Sequence, residues 1–360
     1  MPRKIFFTPG PSALYFTAEE HIKAALKAQI PEISHRSSTF QATYQEAEEN
    51  LRTLLGLPEN FHVAFVSSAT EIWERLLQNL VKEHSLHLVN GAFSKRFAEI
   101  ASELGRKVTI AEAPQGQIAD IDGPLTVEPP ELVAITQNET STGVHFPIDQ
   151  VKKLRELYPD AILAMDVVSS IPVTPIDYSV IDSVYFSVQK CFGLPAGLGV
   201  WIYNDRCLER SNALAAQGVS IGSYHSLPKL HASGLKHQTP ETPNVLNIYL
   251  LGKVAGDMLG KGLGMIIRET NYKAAVLYQL LDEHVLLSPF VKEKHIRSKT
   301  VVVANVVGGS QSIIEPLDSK GMAIGTGYGS NKSTQIRIAN FPTHSKEQIE
   351  LLADQIALLS

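Results

Sequence analysis

From residue 60 to about 203, short apolar runs alternate with stretches whose apolar positions recur every three or four residues. The runs FHVAFVS (61–67), LHLVN (86–90), KVTIA (107–111), LVAIT (132–136), AILAMD (161–166), SVYFSV (183–188) and LGVWIY (198–203) predict strands. Between them, TEIWERLLQNLVKEH (70–84) and FSKRFAEIASELG (93–105) predict amphipathic helices. In the first, Ile72, Trp73, Leu76, Leu77, Leu80 and Val81 fall on one face. Strands alternating with helices predict an α/β fold with a mostly parallel sheet covered on both faces. Ligands in such folds gather outside the carboxyl ends of the strands.

Upstream, Thr17 with Glu20 three residues later predicts a capping box opening a helix over 17–29, and 39–55 predicts a second helix. Downstream the texture changes. QTPETP (238–243) reads as a loop, 244–260 and 265–284 as helices, and VVVANVV (301–307) and QIRIANF (335–341) as strands around a Gly/Ser-rich stretch (321–333), with a last helix from about 345. The pattern divides the chain into a large α/β domain, 1–255, and a smaller α+β domain, 256–360.

Composition narrows the class. Of 360 residues 44% are hydrophobic and 19% charged, ample for a packed interior. Net charge is −5 without a basic block, which disfavours nucleic acid as the main partner. The two cysteines, Cys191 and Cys207, make neither a disulfide framework nor a zinc motif, and the twelve histidines show no metal-binding spacing. The first residues lack a signal-like apolar run, and no apolar stretch is long enough to span a bilayer. A cytoplasmic enzyme without a metal is expected.

Several residues could carry its chemistry. Lys190 follows the apolar run SVYFSV, and the chain then turns through Gly193, Pro195, Gly197 and Gly199. A lysine at the edge of an apolar sheet has its ammonium disfavoured by desolvation, which suits imine chemistry; the plain alternative is an exposed loop lysine. Asp166 ends AILAMD, 24 residues earlier, about one strand–connection–strand unit, which sets both groups at the same edge of neighbouring strands. A carboxylate there could keep a pyridinium nitrogen protonated, or simply cap the next turn. Ser68 and Glu71 predict a capping box at a helix start, where the N–H groups of Ser68, Ala69 and Thr70 would face an anion such as a phosphate. Neither a P-loop nor a dinucleotide-binding glycine pattern follows any strand. Phe93, past the second strand, could stack on a planar cofactor or pack in the core. Arg337, a charge inside an apolar strand, suits a substrate carboxylate or a structural ion pair. His35 and Arg36 in EISHRSS could form a second anion site or a solvated loop pair.

With these segments in order the chain resembles the class V aminotransferases among the fold-type I pyridoxal phosphate enzymes, and within them the phosphoserine aminotransferases. The likeness runs through FTPGPSAL, ISHRSSTFQ, the SSATE turn, NETSTGV, MDVVSS, SVQKCFGLPAGLGV, QTPETPNVLNIYLL and QIRIANFP. It implies an aspartate-aminotransferase-like large domain and pyridoxal 5'-phosphate as cofactor. Carried over by position, Lys190 would bind the cofactor covalently and later shuttle the Cα proton. Asp166 would pair with the ring nitrogen, Phe93 would stack on the ring and Thr140 would approach its hydroxyl. Ala69, Thr70 and Gln189 would hold the phosphate, joined by Gln238 and Thr239 from the partner subunit of a homodimer. Arg337 would grip the α-carboxylate, and Arg36 with His35 the second anionic group of the substrate.

Three departures stand out. Phe93 replaces the usual stacking tryptophan, and Thr70-Glu71 replaces a Gly-Arg-like pair. The His-Arg pair that such relatives place shortly before the carboxylate-binding arginine is missing from GYGSNKSTQIR, where Lys332 is the one cation before Arg337. A lost charge-assisted contact of about 1.5–3 kcal/mol weakens phosphoserine binding roughly ten- to a hundredfold unless Lys332 substitutes. Despite these departures the resemblance implies phosphoserine:2-oxoglutarate transamination in serine biosynthesis. Small amino acids with glyoxylate or pyruvate are the alternative, and a cofactor-free relative is the non-catalytic rival. A desulfurase is disfavoured because Cys191 directly follows the lysine.

Overall fold

The computed structural model describes residues 4–359. A seven-stranded sheet runs in the order Phe61–Val66, Gly199–Asn204, Ser183–Ser187, Ile162–Asp166, Leu132–Thr136, His84–Val89, Lys107–Glu112. Every pairing is parallel except the two made by Gly199–Asn204. The α/β expectation holds, and all seven predicted strands form, with ends shifted by a residue or two.

The apolar runs are continuous because both faces of the sheet are covered. Leu132–Thr136 and Ile162–Asp166 are buried at every position, whereas the edge strand Lys107–Glu112 is wetted along its length. Helix Ala69–Leu80 lays Ile72, Trp73, Leu76, Leu77 and Leu80 into the core, and Trp73 stacks on Phe97 of helix Ala92–Glu103 at 5.6 Å. Predicted to reach 84, the first of these helices stops at Leu80, because the next strand begins at His84.

A second, five-stranded sheet has the order Ile5–Phe7, Met322–Thr326, Gln335–Ala339, Val301–Val306, Leu287–Pro289. Its own apolar cluster includes Phe7, Leu277, Val302, Ile336 and Ile349. The N-terminal segment, grouped with the large domain from sequence, thus contributes a strand here, with Ile5 opposite Met322. Met322–Thr326 lies inside the stretch read as a Gly/Ser-rich connection.

The capping box expected at Thr17 does not form. Helix Ala18–Lys27 has no side-chain cap, because the Thr17 hydroxyl donates to Asp257 instead. Among the described residues no helix is long and apolar enough to cross a membrane.

Candidate active site

Five strands of the large sheet deliver their carboxyl ends to one cavity of about 200 Å³. Its lining brings together Ala69, Thr70, Phe93, Thr140, Asp166, Gln189, Lys190 and Arg337, residues separated by as much as 268 positions in the chain. Asp166 is the last residue of its strand and pairs with Tyr185 on the neighbouring one, from which the chain runs on to Lys190. That shared edge is why a spacing of 24 residues becomes proximity in space.

Lys190 and Asp166 are both buried, at 7% and 5% exposure. Burial pulls the Lys190 pKa down to about 8, opposed by the attraction of Asp166 and Glu139. Burial likewise pushes Asp166 up to about 6, opposed by the Val168 N–H that its carboxylate accepts at 2.9 Å and by Lys190. The amine donates to Thr140 Oγ1 at 2.8 Å and lies 5.1 Å from the centre of the Phe93 ring. Gly10 passes the lysine stem so closely that a Cβ there would sit 3.0 Å from Cε, and its φ of +148° also favours glycine.

At the other end, helix Ala69–Leu80 points its first turn into the cavity. Half of the expected capping box forms. Ser68 Oγ accepts from Glu71 N–H, but the Glu71 carboxylate turns to the N–H and hydroxyl of Ser67, at 2.8 and 2.6 Å. Ser68 does not line the cavity, and Ala69 N–H donates to Ser187 Oγ at 2.7 Å. Gln189 Oε1 is buried without a hydrogen-bond partner.

The opposite wall comes from the smaller sheet. Arg337 donates from Nε to Thr326 O at 2.8 Å and from Nη1 to Thr140 O at 3.2 Å, so backbone carbonyls hold the guanidinium in place. Among the described residues no carboxylate pairs with it; burial lowers its pKa. Tyr328 lies under the guanidinium at 5.3 Å and against Phe93 at 5.3 Å, closing the gap between the two sheets. Lys332 is exposed and outside the lining.

His35, Arg36, Gln238 and Thr239 are not in this cavity but beside one another. Arg36 donates to Gln238 Oε1 at 2.8 Å and to the carbonyls of Thr239 and Pro240, and His35 Nδ1 lies 3.4 Å from Thr242 Oγ1.

Sequence reasoning missed four contributors. Trp73 and Ser187 line the cavity, yet in the sequence they are ordinary members of an apolar helix face and an apolar strand. Tyr328 was visible only as an aromatic in a glycine-rich stretch. Glu139, fully buried, accepts from the N–H groups of Phe93, Ser94 and Ser141 and from the Ser94 and Ser141 hydroxyls, fixing the residues on either side of the cavity floor. The NET sequence gave no signal of that role.

Known proteins match this arrangement over the whole chain. The family profile described as aminotransferase class-V covers residues 11–350. A phosphoserine aminotransferase of Nocardioides sp. is 27% identical over 97% of this chain and 94% of its own. The crystal structure of a phosphoserine aminotransferase from Cytophaga hutchinsonii superposes with a TM-score of 0.96 at 49% identity, covering 99% of this chain and 98% of that one. A phosphoserine aminotransferase of Trichomonas vaginalis, solved with bound pyridoxal phosphate, superposes with a TM-score of 0.81 at 20% identity, over 98% and 99% of the two chains. The architecture is aspartate-aminotransferase-like and the cofactor is pyridoxal phosphate. The chain belongs to the class V aminotransferase family.

Proposed function

We propose that this chain transfers an amino group between phosphoserine and 2-oxoglutarate, the serine-forming branch of its family. One observation carries the reading: a buried amine and a buried acid share the carboxyl edge of adjacent strands, in a cavity faced by an arginine with which no carboxylate of the described residues forms an ion pair. The 49% identity to the Cytophaga hutchinsonii enzyme supports the choice of substrate.

The donor set fits pyridoxal phosphate. Gln189 leaves a buried polar atom unsatisfied beside a helix N-terminus, and Gly10 leaves room along the lysine stem. Lys190 is the residue to hold the cofactor covalently, Asp166 to keep its ring nitrogen protonated, Phe93 to cover the ring face, and Ala69, Thr70 and Gln189 to receive the phosphate. Bound there, the cofactor supplies an electron sink for electrons released at the substrate Cα. Burial lowers the Lys190 pKa to about 8, which enlarges the free-amine fraction near neutral pH, and in that form the residue takes the Cα proton and returns it later. Thr140 accepts a hydrogen bond from that amine and orients it. Arg337 clamps the α-carboxylate through its fork geometry, already fixed by the Thr326 and Thr140 carbonyls.

Two copies of the chain would complete each site. Gln238 and Thr239 would reach the partner's cofactor phosphate, and His35 with Arg36 its substrate's second anionic group. The two unpaired buried cysteines suit the reducing cytoplasm.

A second reading, transfer among small amino acids with glyoxylate or pyruvate, is favoured by one observation. Lys190 and Arg337 are the cations lining the cavity, and Lys332 stands outside it. Stopped-flow half-reactions separate the two. Phosphoserine should discharge the cofactor absorbance band at least tenfold faster than serine or alanine at equal concentration. If phosphoserine leaves the band intact while alanine or serine discharges it, the second reading replaces the first.

A further inference from the structure

One imidazole ties the phosphate-binding turn to the QTPETP loop. His225 has a side chain only 1% exposed, with Nδ1 2.5 Å from Glu71 Oε1 and Nε2 2.7 Å from Glu241 Oε2. A neutral imidazole donates from one nitrogen; two carboxylate partners require both nitrogens protonated. Burial lowers the pKa of such a group, but the bonds to Glu241 and Glu71 outweigh it and carry His225 up to about 9. Arg75, whose Nε is 3.9 Å from Glu71 Oε1, is the other charge facing this acid, and Tyr224 covers the ring in a stack at 3.9 Å.

Each carboxylate leads to a different phosphate site of the proposed dimer, Glu71 to this chain's own and Glu241 to the partner's. Glu71 also binds the N–H and hydroxyl of Ser67, which fixes the turn that presents Ala69 and Thr70 to the cavity. Glu241 sits in the loop carrying Gln238 and Thr239, where its carbonyl accepts from Thr239 Oγ1 at 2.7 Å. Arg36 then grips the same loop through the Gln238 side chain and the Thr239 carbonyl.

We propose that His225 is a positioning residue: an imidazolium shared between Glu71 and Glu241, it holds the Ser67–Thr70 turn, which faces this chain's own cofactor phosphate, against the Gln238–Asn244 loop, which reaches the partner's. This rests on the reading of the cavity as a pyridoxal phosphate site.

The test uses His225→Gln, which can donate to one carboxylate only, and the milder Glu241→Gln, which removes the outer charge. For each full-length variant, the apo protein is titrated with pyridoxal phosphate and with inorganic phosphate, and its melting temperature is measured without ligand. The expected result is a dissociation constant raised at least tenfold for both ligands, with the apo melting temperature within a few degrees of wild type. Unchanged dissociation constants overturn the proposal. So does weakened binding that simply tracks an equal loss of apo stability, which marks a general structural role. Should the wild-type chain itself bind no pyridoxal phosphate, the parent reading fails instead, and the two failures are distinguishable.

Discussion

Lys190 donates to the hydroxyl of Thr140 at 2.8 Å, across fifty positions of sequence. The same threonine offers its carbonyl to Arg337 at 3.2 Å. One residue of the NETSTGV segment therefore registers the buried amine against the carboxylate clamp, and with it the large sheet against the small one.

Lys190→Ala tests the amine. Turnover should fall by a factor on the order of 10²–10⁴ or more, as for loss of a positioned general base. Apo stability should not fall, since a desolvated cation is removed. Rate measurements paired with urea unfolding check both.

Arg337→Lys tests the clamp. Lysine keeps the charge but loses the fork that engages a carboxylate with two parallel bonds. KM for amino and oxo acids should rise about tenfold to a hundredfold, the equivalent of about 1.5–3 kcal/mol. The cofactor spectrum should be unchanged; a bleached or shifted spectrum would show that Arg337 serves the cofactor rather than the substrate.

The pair Asp166 and Lys190 should write two limbs into the stability of the apo protein. Asp166 is raised from 3.8 to about 6, so the folded state holds its proton more tightly and stability falls as pH climbs from about 4 through 6. Lys190 is lowered from 10.5 to about 8, so the folded state sheds its proton early and stability returns as pH climbs from about 8 towards 10.5. Urea midpoints across pH 4–10 should show the dip. Asp166→Asn should flatten the acid limb and Lys190→Met the alkaline one. A wild-type profile without the dip would refute the burial-driven shifts.

Glu139→Gln addresses the cavity floor. The carboxylate accepts from three backbone N–H groups and two hydroxyls, and an amide cannot accept with both heads. Loss of about 1–3 kcal/mol in the urea unfolding of the apo protein is expected. The Phe93 side of the cavity should loosen with it, seen as weaker retention of the cofactor.

Where strand pattern and chemistry coincided, the sequence was readable. Asp166 ends one apolar run and Lys190 follows the next, two strands that pair in parallel across a connection of turns without a helix, and Arg337 announced itself as a charge between isoleucines. Met322–Thr326 was hidden because Gly321, Gly325 and Gly327 mask five residues that are held extended only by Ile5–Phe7 and Gln335–Ala339. The box at Thr17 did not form and the one at Ser68 formed only by half, through competing partners. Asp257 takes the Thr17 hydroxyl across 240 positions, and Glu71 is drawn off by Ser67 and by His225, 154 positions away. Local spacing carries no record of Asp257 or His225.

The pairing of Ile5–Phe7 with Met322–Ile324 also sets a timetable for synthesis. The ribosome extrudes Phe6 and Phe7 early, yet the strand they dock on emerges more than 300 residues later. At about 5–20 residues per second the wait is roughly 15–60 s. The large sheet can assemble meanwhile, but the Pro9–Pro11 wall of the cavity follows directly on that waiting strand. Nascent chains released before residue 322 should therefore carry a folded large sheet and an open, unwalled site.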